Sequence, residues 1–545
     1  MRVQRISGRV VDVLSRTEFP GTVEFSGGVI RRIRRDAKVR GSGLIMPGFV
    51  DAHIHIESSM LPPAEFARLA VVHGTVGTIS DPHEIANVLG VAGVDYMIAD
   101  GGRTPFHFCF GASPCVPATD KETSGARLGT RAVARLLERP EVGYLSEVMN
   151  FPGVLHRDKA LMAMIASAAR RGKPVDGHAP GLRGAEAAAY ARAGISTDHE
   201  CFTLAEAKDK IRAGMKILIR DGSAARNFVA LAPLLKSNPN RCMFCCDDLH
   251  PDLLVQGHLD RHIRRALALG VDRFDAVACV TVNPIRHYGL RVGLLQEGDP
   301  ADFVVVDGWK RFRVRRTYLA GRLVAKDGRS FLPRLRPKIV NRFRAGARKA
   351  GDFAVELRPG RLKVIEALDG QLITRSRLMK PKASGGLAVA DPSRDLLKIA
   401  VVNRYAARAP AAVGFIRGFG LKTGALASSV AHDSHNVVVV GATDEEMAEA
   451  ANLVIKHRGG VSVVGKGRRE VLPLEIAGLM AAGDGQTVAR RYTELDALAK
   501  RLGSRLRAPF MTLSFMALLV IPDLKLSDRG LFSCSRWRFE PLFAG

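Results

Sequence analysis

Aromatic residues are scarce, 6% of the chain with two tryptophans among 545 residues. No stretch interleaves aromatic with basic side chains, the arrangement that stacks unpaired bases. The eight cysteines (109, 115, 201, 242, 245, 246, 279 and 534) show no framework spacing. Cys242, Cys245 and Cys246 resemble half a zinc site, but no second CxxC pair completes it, and they lie in an apolar run, so buried reduced thiols are expected. Long hydrophobic runs are missing too. The longest, Phe510 to Ile521, falls short of the roughly 20 residues that span a bilayer and carries Thr512 and Ser514. The opening MRVQRISGRVVDVL has no apolar signal core. No membrane segment is expected, and the thiols fit a reducing cytoplasm.

Acidic residues are in short supply. Lys and Arg number 81 against 54 Asp and Glu, for a net charge of +27. Such a balance raises the question of an anionic partner. About half of the excess sits in residues 310–349, where fifteen Lys/Arg accompany one acid, Asp327. A nucleic-acid patch is one reading. A solvated stretch between domains is the simpler one, and nucleic acid is not the expected partner. What is present, 47% hydrophobic and 25% charged residues, is ordinary for a soluble globular enzyme of three to four domains.

The first 43 residues alternate apolar and polar positions, with turns at Pro20-Gly21 and Gly27-Gly28, and read as short strands. A different rhythm follows. Apolar runs at Leu44–Val50, Thr75–Ile79, Pro105–Phe110, Gly143–Ser146, Pro174–Asp176, Gly194–Thr197, Met215–Ile219 and Cys242–Cys246 alternate with Ala/Leu/Arg-rich stretches of helical period. Eight β–α units at this pitch predict an α/β fold, a (β/α)8 TIM-like barrel. Short strands return over Gly293–Val324. The expected organisation is a small β-sandwich built from flanking segments 1–43 and 289–335, a barrel over 44–288, a basic linker over 336–390 and a C-terminal α/β domain over 391–545.

Asp51-Ala-His53-Ile-His55 follows the first barrel strand directly. His at i and i+2 of a strand share one face, and at the C-terminal end of a barrel strand that face opens on the mouth. Two imidazoles there can hold a divalent metal. Alone, HxH is a weak signal. Glu147, His178, His199 and the Asp247-Asp248 pair stand at the ends of four later runs. Each taken singly is an ordinary hydrogen-bonded side chain. Together they suffice for a binuclear centre bridged by a carboxylate. Imidazole with carboxylate and no committed thiolate suits Zn, Mn or Fe, and the chemistry is hydrolytic: a metal-activated hydroxide, with an Asp carrying the proton to the leaving group. The zinc-thiolate type of base deaminase needs HxE with PCxxC. His55-Ile-Glu57 meets the first half, but Pro114-Cys115 is followed by Ala118 where a cysteine is required.

The residues reached resemble the amidohydrolase superfamily and, within it, the adenine deaminases. PGFVDAHIHIESSM (Pro47–Met60), GTVGTISDPHEIANVLG (Gly74–Gly90), SPCVPAT and ETSGA (Ser113–Ala126), EVMNFPGV (Glu147–Val154), GHAPGL (Gly177–Leu182), DHECFT (Asp198–Thr203) and DDLHPDLL (Asp247–Leu254) carry the resemblance in the first half. GFGLKTGALASSVAHDSHNVVVVG (Gly418–Gly441) and IPDLKLSDRGLF (Ile521–Phe532) carry it in the second. The resemblance implies hydrolysis of adenine to hypoxanthine and ammonia in purine salvage, with Mn2+ or Fe2+ in the centre and Zn2+ as an alternative. It implies His53, His55 and an eighth-strand Asp on one metal, His178 and His199 on the other, and Glu147 as the bridge where many relatives use a carboxylated lysine. Asp248-Leu-His-Pro251 has the Asp-x-x-Pro spacing, so Asp248 is the preferred ligand and proton shuttle, with Asp247 second. Glu57, Ser58, Ser59, Asp81, His83 and Glu84 follow strands one and two and should face the mouth, with Ser59 the serine taken to meet substrate. His432, Asp433 and His435 would close on it from the second domain. A homo-oligomer, taken as a dimer, is the expected assembly. The alternative is another amidohydrolase, acting on a different 6-substituted purine or on a cyclic amide; a cyclic amidase shares barrel and metals, but no strand-four lysine is present. The tail SCSRWRFEPLFAG (Ser533–Gly545) departs from the usual family ending.

Overall fold

The computed structural model describes residues 2–41 and 43–545. Strands β1 (Gln4–Asp12), β2 (Thr17–Ser26), β3 (Val29–Arg35) and β4 (Leu44–Pro47) from the N-terminal side join β14 (Phe303–Val306), β15 (Val314–Leu319), β16 (Arg322–Lys326) and β17 (Arg329–Ser330) from beyond the barrel. The hydrogen-bonded order is β17-β16-β15-β14-β4-β1-β2-β3. β4 is the seam, parallel to β1 and antiparallel to β14. Alternation puts Val10, Val23, Phe25, Ile45, Phe303 and Tyr318 on one face, where they form their own core.

The barrel strands are β5 (Phe49–His55), β6 (Thr75–Ser80), β7 (His107–Ala112), β8 (Val142–Val148), β9 (Val175–Gly177), β10 (Thr197–Asp198), β11 (Lys216–Arg220), β12 (Cys242–Cys245) and β13 (Asp247–Asp248). All ladders among them are parallel. The Ser196 amide donates to Val175 O at 2.9 Å and ties β9 to the β10 side. Ala52, Ile79, Tyr144, Leu218, Met243 and Tyr288 fill the interior beneath the mouth, as side-chain layers fill such barrels.

Two features of the barrel differ from the sequence reading. The first apolar run is not one strand. It breaks at Gly48, so that Leu44–Pro47 serves the flanking sheet and Phe49–His55 opens the barrel. A Cβ on Gly48 would lie 2.4 Å from Val76 Cγ1. Only glycine lets the two layers pass that closely. The eighth strand also breaks. β12 pairs with β11, whereas β13 pairs with β5, matching Asp247 to Ile54 and Asp248 to His55. At the start of β13 Asp247 takes a left-handed φ of 57°, a region Asp tolerates better than most residues.

The second domain is a mainly antiparallel sheet. Val437–Gly441 and Leu397–Val402 lie at its centre, and helix Asp444–Lys456 packs on one face through Met447, Ala450, Ala451 and Val454. Thr443 caps this helix by accepting from the Glu446 amide at 3.2 Å. Arg361–Ala367 and Thr374–Met379 are strands of the same sheet. The second half of the stretch expected as a basic linker therefore contributes two strands to this sheet, their alternation hidden by exposed arginines. Seven cysteines are buried, Cys534 is half-buried, and all are free thiols. Among the described residues no helix is long and apolar enough to cross a membrane.

Gly48→Ala tests the seam. Its methyl must push Val76 aside, and overpacking of this kind costs about 1–3 kcal/mol. A denaturant midpoint equal to that of the parent protein would show that the two layers yield freely there.

Candidate active site

The site forms where β5, β8, β9, β10 and β13 end. β5 delivers His53 and His55 with their Nε2 atoms 3.2 Å apart. Asp247 Oδ1 lies 3.6 Å from the first and 3.3 Å from the second. His55 Nδ1 is 3.2 Å from Asp81 O, which turns Nε2 inward. Asp248, expected beside this pair, points elsewhere. Ser58 Oγ donates to its Oδ1 at 2.5 Å, and the nearest imidazole nitrogen is His432 Nε2 at 3.9 Å. The left-handed turn at Asp247 reverses the simple alternation along the strand, so the first Asp of the pair, not the second, joins the histidines.

Glu147, at the end of β8, sits between two sets of imidazoles. Its Oε2 is 2.6 Å from His178 Nδ1 and 3.2 Å from His199 Nε2. Its Oε1 is 3.5 Å from His55 Nε2 and 3.3 Å from His83 Nδ1. Burial works against the carboxylate, but His178 and His199 outweigh it and hold this carboxyl well below its ordinary range. Burial, then His199 and His55, holds His53 well below the usual imidazole value. A neutral imidazole is the form that binds metal. Asp81 and His83, expected to meet substrate, are drawn into the same cluster, His83 Nδ1 being 3.0 Å from Asp81 Oδ2.

These donors fit a divalent cation. His53, His55 and Asp247 each offer one atom within 4.8 Å of the others, and so do His53, Glu147 and His199. His53 Nδ1 and His178 Nε2 are buried without a hydrogen-bond partner. Buried polar atoms are rarely left so. Imidazole and carboxylate with no thiolate is a donor set for first-row divalent metals.

Sequence reasoning missed the cation beneath this cluster. Arg220 at the end of β11 is wholly buried. It donates to Glu200 at 2.5 and 2.9 Å, to Ala225 O at 2.7 Å, and to Asp247 Oδ2. A fixed planar fork suits one guanidinium to two carboxylates. The available signal was a charge closing an otherwise apolar run. Glu200 stands in the DHECFT motif but had no role assigned.

The second domain completes the site from above. Glu84, in the first turn after β6, meets His432 Nδ1 at 2.6 Å and also His435 Nε2. The ring of Phe515 stacks on His432, centroids 4.5 Å apart and planes at 11°. His83 Nε2 is 3.2 Å from Glu84 and 4.0 Å from Asp433. Glu57 receives the Ile85 amide on one oxygen at 3.1 Å. Its other oxygen, Asp433 Oδ2 and His432 Nε2 are buried without partners. Burial lifts Glu57 to about 7 and Asp433 to about 6. Two expected substrate contacts are already committed. Ser59 Oγ closes its own turn on Ile56 O at 2.6 Å, and both His435 ring nitrogens are bonded, one by the Ala431 amide at 3.1 Å. Ser58 is the serine that faces the site.

Arg220→Met would leave Glu200 and Asp247 buried without their counter-charge, a change that costs about 3–5 kcal/mol. The midpoint of denaturation is to be read on metal-stripped protein, so that no bound cation compensates. An unshifted midpoint would mean that the carboxylates find other neutralisation.

With this geometry in view, comparison with known proteins is direct. Residues 44–324 match the amidohydrolase family, and residues 371–538 match the adenine deaminase C-terminal domain. An adenine deaminase of Salinibacter ruber is 56% identical over 99% of this chain and 98% of that protein. One of Sulfurovum sp. is 54% identical over 97% of the chain and 98% of its own length. One of Methanosarcina mazei is 47% identical over 99% of the chain and all of its own length. The chain belongs to the adenine deaminase family of amidohydrolases.

Proposed function

We propose that the chain hydrolyses adenine to hypoxanthine and ammonia. The observation that carries this reading is Glu147, reaching His55 on one side and His178 and His199 on the other, under a roof of unpartnered polar atoms. Full-length relatives named adenine deaminase support it. Purine salvage in the cytoplasm is the setting that fits, the free thiols being those of a reducing compartment. Cyclic-amide hydrolysis lacks comparable support, since β8 carries Glu147 at its next-to-last position and contains no lysine.

The family implies a divalent metal site. His53, His55 and Asp247 would hold one cation, His178 and His199 a second, and Glu147 both. Mn2+ or Fe2+ is the occupant the family resemblance implies, and the same oxygen and imidazole donors also accept Zn2+. Cations held there supply hydroxide near neutral pH by lowering the pKa of water. The chain's own residues do the rest. Asp248, buried, bonded to Ser58 and close to His432, takes the proton released as the nucleophile adds to C6 and returns it to the leaving nitrogen. Burial and then the neighbouring Asp247 charge raise this carboxyl, countered in part by His432, which suits it to carry a proton. Ser58 keeps it aimed. Glu57, Asp433 and His432 hold the purine edge: a carboxyl near 7 or 6 can donate to a ring nitrogen as the acid or accept an N–H as the carboxylate. Glu84, by gripping His432 and His435, fixes these readers against the barrel. The second domain covers the mouth on the β5 and β6 side, over Glu84.

Metal-loaded protein given adenine should release ammonia while absorbance reports hypoxanthine, and metal-stripped protein should not. Absence of conversion with Mn2+, Fe2+ and Zn2+ would refute the reading. Asp248→Asn should lower kcat about 10²–10⁴-fold with metal content unchanged. Near-normal turnover would remove Asp248 from proton transfer.

A further inference from the structure

Asp51 opens the Asp-x-His-x-His run, yet its carboxylate turns away from the mouth. Oδ1 accepts two main-chain amides, that of His53 at 3.2 Å and that of Cys246 at 3.1 Å. His53 lies in β5, and Cys246 stands between β12 and β13, directly before Asp247. One oxygen therefore ties the strand that presents His53 and His55 to the break that presents Asp247. The ladder gives little help there. β13 pairs with β5 over two residues, and the register of β5 on β6 shifts between Asp51 and Ile54.

The other oxygen, Oδ2, faces His258 Nε2 at 3.1 Å. His258 stands just before helix Leu259–Ala268, with its amide donating to Asp260 Oδ1 at 2.8 Å. Its ring is held from behind. Nδ1 lies 2.6 Å from Thr75 Oγ1 at the start of β6, and the ring of Phe66 packs edge-on against it at 5.7 Å. One turn further on, His262 Nε2 stands 2.9 Å from Cys245 O, so the same helix reaches the break in the eighth strand a second time. Asp51, Thr75, Cys246 and His258 are each at most 1% exposed. Among the described residues no lysine or arginine reaches Asp51, and His258 is the basic side chain that faces it. A buried carboxylate without a partner is costly, so the placement of Asp51 follows that of His258.

Metal-binding histidines are usually oriented by a hydrogen bond at the ring nitrogen that does not bind metal. His55 has such a contact, at Asp81 O. His53 has none, because its Nδ1 is buried without a partner. What fixes His53 is its main chain, and the side chain that holds the main chain is Asp51. We propose that His258 is a positioning residue for the metal centre: by holding Asp51 it sets the spacing of His53 and His55 against Asp247, and with it the affinity of the site for its cation. This rests on the metal-binding reading above, and it gives His258 no contact with substrate or cation.

The test is a titration of metal-stripped protein with Mn2+, free Mn2+ being read from its paramagnetic resonance signal, with the denaturant midpoint measured on the same samples. His258→Leu should raise the Kd for Mn2+ about 10–100-fold, the usual cost of losing a residue that orients a ligand. His258→Gln can still donate an N–H to Asp51 and should bring the Kd back to within about 2–10-fold of the parent's, the worth of one hydrogen bond. Where His258→Leu does not fold, Thr75→Val, which removes only the hydroxyl behind the ring, carries the same test with an expected rise of about 2–10-fold. A leucine variant with a lowered midpoint and the parent's Kd would make His258 a support of the fold alone and overturn the proposal. A glutamine variant that binds no better than the leucine one would overturn it too, as would a Thr75→Val protein with the parent's Kd. A parent protein that takes up no Mn2+ would fail the metal reading itself, and the role of His258 with it.

Discussion

The structure depends on neutralising negative charge that it has buried. Glu84, Glu147, Glu200 and Asp247 all lie out of water within one barrel mouth. An isolated buried carboxylate is prohibitively costly unless paired or protonated. Each of these has a dedicated counter-group: the imidazoles of His178 and His199 for Glu147, the guanidinium of Arg220 for Glu200 and Asp247, and the imidazole of His432 for Glu84. The imidazoles are the exchangeable part. Arg220 keeps its proton at any relevant pH, whereas a cation entering the cluster replaces protons on histidine, so metal binding and proton release are one event. This divides the labour cleanly. The permanent cation sits below the centre and maintains the fold, and the titratable ones line it and yield to metal.

Barrel geometry turns that charge problem into a catalytic one. Strand ends are where a parallel barrel gathers side chains from distant parts of the chain. The eighth strand does more, because it stops pairing with β11, turns at Asp247 and resumes on β5. The turn separates two adjacent carboxylates into different environments. Asp247 lies against Arg220 and the His53–His55 pair and is held well below the ordinary range, burial notwithstanding. Asp248 sees a serine hydroxyl and burial, and is raised. Neighbouring carboxyls with opposite shifts are the usual sign of divided roles in catalysis.

The histidines and Glu147 were legible in the sequence because each closes an apolar run, and the end of a barrel strand has one destination. The choice between Asp247 and Asp248 was not legible. It turns on a single φ of 57°, and a spacing motif cannot report backbone handedness. Ser58 and Ser59 were both expected at the mouth, but the short 3-10 turn Ile56–Ser59 folds the second hydroxyl back on its own backbone. Arg220 escaped because a buried arginine looks like a surface residue until its partners, Glu200 and Asp247, are known. The break at Gly48 was invisible because both halves of Leu44–Val50 are equally apolar, and only the contact with Val76 reveals that they serve different layers. The second domain's role in the site was inferred from resemblance; no periodicity in the chain connects Glu84 with His432.

That connection explains why the two domains travel in one chain. Glu84 is a barrel residue held by the second domain, with His432, raised to about 9, as its counter-charge and His435, lowered to about 4 by burial, as a neutral hydrogen-bond partner. Without the roof it would be a carboxylate at the mouth with His83 as its remaining partner, and His83 is already shared with Asp81 and Glu147. Docking is reinforced at a distance by the Asn436 side chain on Thr123 O at 2.9 Å, by the Thr123 amide on Asp528 at 2.9 Å, and by the Tyr492 hydroxyl on His250 at 2.5 Å. Two of these contacts fall on the loop after β7, and the third falls two residues beyond Asp248. The interface therefore holds the same segments that the chemistry needs held. A roof so fastened covers the β5 and β6 side of the mouth, and the side beside Glu200 is left to a cavity that Trp537 of the tail helps to wall.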